Sequence, residues 1–150
     1  IVEAVVSRIF GIGVDVVDVA RIDRVANRWG DRFLKRVYTQ RELEYCRERP
    51  LPAEHLAARF AAKEATMKAL GTGWTPHVAF KAIEIVRQGS RRPQIELNRD
   101  MRRMLPANLT LHVSLSHTRL LATAFVVAAL ESEPSLNSSS TREKHHDQIH

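Results

Sequence analysis

The stretch from Glu54 to Leu70 constrains the fold more than any other segment. Ala57, Ala58, Ala61, Ala62, Ala65 and Ala69 recur through it, and alanine is the strongest helix former. Its short side chain also lets a neighbouring backbone come close, so the pattern predicts a long helix packed tightly against other elements. On a wheel turning about 100° per residue, Glu64 and Lys68 fall among Leu56, Ala57, Phe60, Ala61 and Met67, opposite Arg59, Ala62 and Thr66. Charges on a face that packs are costly unless they are paired or bind something. Glu64 and Lys68 therefore read as a site, not as an ordinary surface pair worth about 0.2–0.5 kcal/mol. Gly71-Thr72-Gly73 follows at once; it ends the helix, and its amides are also candidates to face a phosphate.

The segments around this helix alternate between strand and helix patterns. Over Ile9 to Val16, Phe10, Ile12, Val14 and Val16 share one phase, and Gly11, Gly13 and Asp15 the other, as in a strand with one aliphatic and one nearly bare face. The bare face admits a backbone or a ligand, which makes Asp15 a site candidate; ending the strand is its other reading. Asp18 caps a helix to Trp29, where Val19, Ile22, Val25, Ala26 and Trp29 recur at three and four. Arg21, Arg24, Arg28, Arg32 and Lys35 recur at the same spacing and continue into Arg36, a basic ridge suited to an acidic partner or simply to solvent.

Further on, Phe80 to Val86 and Pro93 to Leu97 read as a hairpin around a basic turn at Gly89 to Arg92. Asn98 caps a short helix to Leu105. Leu109, Leu111, Val113 and Leu115 alternate into Ser116-His117-Thr118, and Leu120 to Leu130 returns as the last strand. The expected fold is α+β, a small antiparallel sheet on the long Ala-rich helix, with residues 1–130 as one domain and 131–150 as a polar, flexible tail. Ser116 and His117 are adjacent strand residues on opposite faces, which excludes a direct nucleophile–base pair.

The net charge is +6, and the tail itself is acidic, with Arg142 and Lys144 against Glu131, Glu133, Glu143 and Asp147. The longest apolar run, from Leu120 to Leu130, is about half of what a membrane-spanning helix needs, so no membrane is expected. The lone Cys46 cannot form an internal disulfide, and no secretory pattern opens the chain, so the expected location is cytoplasmic.

Three segments together resemble the holo-acyl-carrier-protein synthase family of 4′-phosphopantetheinyl transferases. They are Gly11-Ile12-Gly13-Val14-Asp15 with Arg21, Arg59-Phe60-Ala61-Ala62-Lys63-Glu64-Ala65 running on to Lys68 and Gly71-Thr72-Gly73, and His112-Val113-Ser114-Leu115-Ser116-His117-Thr118. They stand in the family's order and spacing over about residues 9–130. The resemblance implies transfer of phosphopantetheine from coenzyme A to a serine of apo acyl carrier protein, with release of adenosine 3′,5′-bisphosphate. It implies Mg²⁺ held by Asp15 and Glu64 against the coenzyme A pyrophosphate, as suits a cation bound by few carboxylates plus phosphates. Glu64, Lys68 and His117 are then the catalytic residues, and Gly71, Thr72, Gly73, Ser116 and Thr118 join Lys68 and His117 in binding coenzyme A. The serine proton leaves to Glu64 or to a metal-bound water.

The resemblance further implies docking of the acidic carrier on Arg21, Arg24 and Arg28, and a homotrimer with sites between subunits. Ala82, where many members have aspartate, and Trp74 to Ala79 depart from the family pattern. A basic nucleic-acid-binding module is the rival reading. Aromatic residues make up 6% of the chain and do not interleave the basic runs, as a base-stacking surface needs, so no nucleic acid is expected. An inactive carrier-binding relative is the third reading, opposed by the presence of Asp15, Glu64, Lys68 and His117.

Overall fold

Glycine on one element and alanine on another decide how the two largest parts of the molecule meet. The computed structural model describes residues 8–71, 74–89 and 91–132. The chain opens with β1 (Arg8–Asp18), followed by α1 (Val19–Trp29), α2 (Asp31–Val37), α3 (Gln40–Arg47) and the long α4 (Pro52–Leu70). Then come α5 (Pro76–Ala82), β2 (Ile83–Val86), β3 (Gln94–Leu97), the short α6 (Arg99–Arg103), β4 (Leu109–His117) and β5 (Leu121–Leu130). The antiparallel sheet β1-β5-β4 has β5 in its centre, and β2-β3 form a separate hairpin. Among the described residues no helix is long and apolar enough to cross a membrane.

Local chemistry sets the boundaries. Asp18 caps α1 by accepting from the Ala20 amide at 2.9 Å, Thr39 and Glu42 form a reciprocal capping box on α3, and Asn98 accepts from the Met101 amide at the start of α6. Gly30, at φ 50°, ends α1 and turns the chain into α2. The predicted basic ridge is therefore not one helix face: Arg32, Lys35 and Arg36 sit on α2, beyond a left-handed turn that leaves a β-carbon strained.

The expectation of a strand from Phe80 is corrected too. Residues Pro76–Ala82 form α5, with proline in its first turn, and the strand begins only at Ile83. Three residues of apparent alternation cannot outweigh a proline-initiated turn of helix.

The sheet lays its inner face on α4. A β-carbon built on Gly13 would run into the carbonyl oxygen of Ala65, and one on Gly11 into that of Ala69; the bare face of β1 is thus filled by helix backbone. Ala122, Ala124, Val126 and Ala128 of β5 are buried on the same side. The aliphatic face of β1 points the other way and is open, with Ile12, Val14 and Val16 each more than half exposed, and Phe125 and Leu121 of β5 beside them.

Helix α4 is wrapped on nearly all sides, by the sheet on one flank and by α3, α5 and β2 on the other. This overturns the wheel as read from sequence: Arg59, Ala62 and Thr66 are as buried as Ala61. Phe60, Glu64, Met67 and Lys68 instead mark the more open stripe of its second half. No amphipathic period exists in a helix covered nearly all round: Arg59 and Lys63 are buried in it, while Glu64 and Lys68 lie where the cover is thinner.

Candidate active site

Two groups of polar side chains form at opposite ends of α4. The first is set by the close approach of β1. Asp15, on the inner face of β1, meets Lys68: Nζ lies 3.0 Å from its Oδ1 and donates to the Val14 carbonyl at 2.9 Å. Glu64 stands one helical turn before Lys68, and its carboxyl is held above the ordinary glutamate range, first by burial, then by the charge of Asp15, with Lys68 opposing both. The two carboxylates thus repel while the one ammonium nearby is paired with Asp15.

That oxygen set suits a hard cation. Among the described residues no third His, Cys, Asp or Glu completes a protein-only cage, and Mg²⁺ is characteristically held by one or two carboxylates, with substrate phosphates and water filling the remaining positions. A divalent charge would offset both the burial and the Asp15 repulsion that raise Glu64.

The second group lies at the other end of α4. His117, the last residue of β4, shares the inner face with Ala122 and Val17, and its Nδ1 is 3.1 Å from Oε2 of Glu54 in the first turn of α4. His55 packs edge-on against His117 and also against Tyr45. Two guanidiniums lie over the Tyr45 ring, Arg49 at 4.1 Å and Arg59 at 3.9 Å. Arg59 is 3% exposed, and its Nε has no hydrogen-bond partner among the described residues. A buried donor without a partner is costly, and this one lies in a corner that also holds the Arg49 guanidinium. Burial lowers the basicity of His55, and the neighbouring His117, Arg59 and Arg49 lower it further.

The candidates from sequence divide accordingly. Asp15, Glu64 and Lys68 come together. His117 does not join them within one chain, since Glu54 and Glu64 are ten helical positions, about 15 Å, apart. Ser116 pairs with Thr123 and lies on the outer face, opposite His117. The Thr118 hydroxyl oxygen accepts from the Leu120 and Leu121 amides, each at 3.2 Å, and closes the β4–β5 turn; its proton remains available to a phosphate. The Gly71 amide does not face a phosphate: it donates to the Met67 and Lys68 carbonyls and ends α4. Thr72 and Gly73 lie outside the described residues, as does the tail beyond Ser132.

Arg21, Arg24 and Arg28 are exposed along α1, and Arg28 stacks on Trp29. Beside them Val25, Trp29 and Phe33 floor a groove of about 360 Å³ rimmed by Arg32 and Arg36. Sequence reasoning missed Glu54, His55, Tyr45 and Arg49, because nothing in their periodicity reports a meeting with the end of β4. Arg59 was within reach, standing at the head of the central motif, but the wheel placed it opposite the packing face.

Comparison with known proteins gives this geometry its relatives. Residues 11–128 match the family model of the 4′-phosphopantetheinyl transferase superfamily. A holo-[acyl-carrier-protein] synthase of Protochlamydia amoebophila is 42% identical over 117 residues, 78% of this chain and 95% of that protein. The crystal structure of the holo-[acyl-carrier-protein] synthase from Neisseria meningitidis superposes with a TM-score of 0.73 at 35% identity, covering 81% of this chain and 98% of that one. That of the Helicobacter pylori synthase in complex with coenzyme A gives 0.68 at 32% identity, covering 78% and 98%.

Proposed function

The chain belongs to the holo-[acyl-carrier-protein] synthase family of the 4′-phosphopantetheinyl transferase superfamily, and from that premise we propose that Asp15, Glu64 and Lys68 are its transfer centre. The enzyme transfers phosphopantetheine from coenzyme A to acyl carrier protein. The observation that carries the assignment of the centre is the 3.0 Å ion pair between Asp15 and Lys68, one helical turn from Glu64.

Asp15 and Glu64 would hold Mg²⁺ together with the coenzyme A pyrophosphate. When bound, the cation supplies charge neutralisation on the phosphoryl oxygens as the carrier serine attacks in line. Lys68 has three ammonium protons; two engage Val14 and Asp15, and the third points the residue's remaining hydrogen bond to a phosphate oxygen. The carrier serine's proton leaves to Glu64 or to a water held at the site. The phosphoryl–oxygen bond to the adenosine bisphosphate breaks as the serine oxygen–phosphorus bond forms, and adenosine 3′,5′-bisphosphate leaves.

The corner of His117, Arg49 and Arg59 takes the remaining phosphate charge, with Thr118 at its edge. Its distance from Glu64 within one chain supports the homotrimer, in which the His117 end of one subunit completes the Asp15 end of the next. The open apolar face formed by Ile12, Val14, Val16 and Phe125 supports the same assembly, since exposed patches of this kind mark interfaces. The acidic carrier docks on Arg21, Arg24 and Arg28, with Arg32 and Arg36 adding charge around the Val25-Trp29-Phe33 groove, which receives an apolar anchor of the carrier. The family match ends at residue 128, which supports a transferase domain over 1–130 with 131–150 as an appended tail.

Intact-mass spectrometry of apo acyl carrier protein, incubated with this chain, coenzyme A and Mg²⁺, tests the reading. A gain of one phosphopantetheine that EDTA abolishes is the expected result. No gain with several carriers would leave an inactive carrier-binding relative in its place.

A further inference from the structure

We propose that Glu54 is a positioning residue: it holds the proton of His117 on Nδ1 and so turns Nε2 outward to the coenzyme A phosphates. The proposal rests on the reading above. The contact joins the first turn of α4 to the inner face of β4, with Nδ1 3.1 Å from Oε2. The Glu54 side chain is 13% exposed and that of His117 33%, so water competes weakly for the carboxylate while the imidazole keeps one open edge. A carboxylate oxygen only accepts; the ring nitrogen facing it must therefore carry the proton. The tautomer of a histidine follows from the bond its other nitrogen makes.

The ring is also fixed from the side. His55 meets it edge-on, with centroids 5.4 Å apart and planes at 67°. His55 itself rests on Tyr45 at 5.9 Å, and Tyr45 lies under Arg49 and Arg59. The imidazole can thus neither swing toward solvent nor flip without leaving Glu54. Its other edge is left for a phosphate, and Arg49 and Arg59 stand further along the same corner, beyond His55 and Tyr45.

An acidic residue in a first helical turn also favours the helix itself, so a loss of stability alone would not separate the two roles. The test uses the full chain and the variants Glu54→Ala, His117→Ala and the double variant. Long-range ¹H–¹⁵N spectra of the imidazole nitrogens, taken without substrate, are expected to show His117 protonated at Nδ1 in the parent chain and to lose that signature in Glu54→Ala. Glu54→Gln, which keeps an acceptor oxygen, is expected to restore it. Calorimetric coenzyme A binding is expected to weaken about tenfold in Glu54→Ala. The double variant should then bind no worse than His117→Ala alone, because Glu54 acts only through His117. An unchanged imidazole spectrum, or additive losses in the double variant, would overturn the proposal. A parent chain that fails to modify any carrier while showing the Nδ1 signature would refute the reading of function and leave the Glu54–His117 pairing standing.

Discussion

Lys63 and Lys68 lie five residues apart on α4, and each meets a carboxylate, yet the two pairs do different work. Lys63 is wholly buried, 2.8 Å from Glu42, and also donates to the Phe80 and Ile83 carbonyls. Glu42 in turn accepts from the Thr39 and Ile85 amides. All three Lys63 donors are spent and both Glu42 oxygens accept, and the pair ties α3, α4, α5 and β2 together. Lys68 is about half exposed, and its partner Asp15 is shared electrostatically with Glu64. One pair is closed and structural. The other is left open, which is why we propose it for the substrate and a cation.

The largest expected effect breaks the closed pair. Lys63→Met strands a buried carboxylate, and chemical denaturation should show a loss of about 3–5 kcal/mol, with coenzyme A affinity retained by the molecules that remain folded. Adding Glu42→Leu should recover much of the loss, since replacing both members of a buried pair by apolar residues is often close to neutral. A loss under 1 kcal/mol in Lys63→Met would mean that the two pairs are energetically alike.

On the open pair the order reverses. Glu64→Gln should leave the melting temperature within a few degrees of the parent and reduce Mg²⁺-dependent turnover by about 10²-fold or more. Undiminished turnover in the mass-spectrometric assay would take Glu64 out of the chemistry. Away from both pairs, Arg21→Glu with Arg28→Glu should raise KM for the carrier about tenfold and leave KM for coenzyme A alone. Equal changes in both would remove α1 as the docking face.

The smallest effect is in pH. Because the folded Glu64 titrates above its unfolded value, the folded state keeps a proton that the unfolded state has already released. Stability without metal should therefore fall slightly as pH rises from the ordinary glutamate range through the raised value. Denaturation midpoints should show this slope in the parent, and neither with saturating Mg²⁺ nor in Glu64→Gln.

The same contrast explains what could be read before any coordinates. Asp15, Glu64 and Lys68 could be singled out as candidates because charges among glycines and packing residues are unusual, and Asp18 was legible as a cap because capping is local. Lys63 was not: a lysine inside an Ala-rich helix looks like a solvated residue until α5 and Glu42 close over it. Burial of that kind is decided by chain segments far apart in sequence. The α5 helix was masked by a short alternation in Phe80 to Val86, and the Glu54–His117 contact joins elements whose meeting depends on the whole sheet.

The glycines of β1 add a consequence for variation. Where Gly11 and Gly13 touch the Ala69 and Ala65 carbonyls, main chain rests on main chain, and the gap between strand and helix is set by atoms that no substitution elsewhere can enlarge or shrink. The separation of Asp15 from Glu64 is therefore gauged by a spacer that drift in the core does not reach. A single methyl group on either glycine would push the strand off the helix and shift Asp15 relative to Lys68.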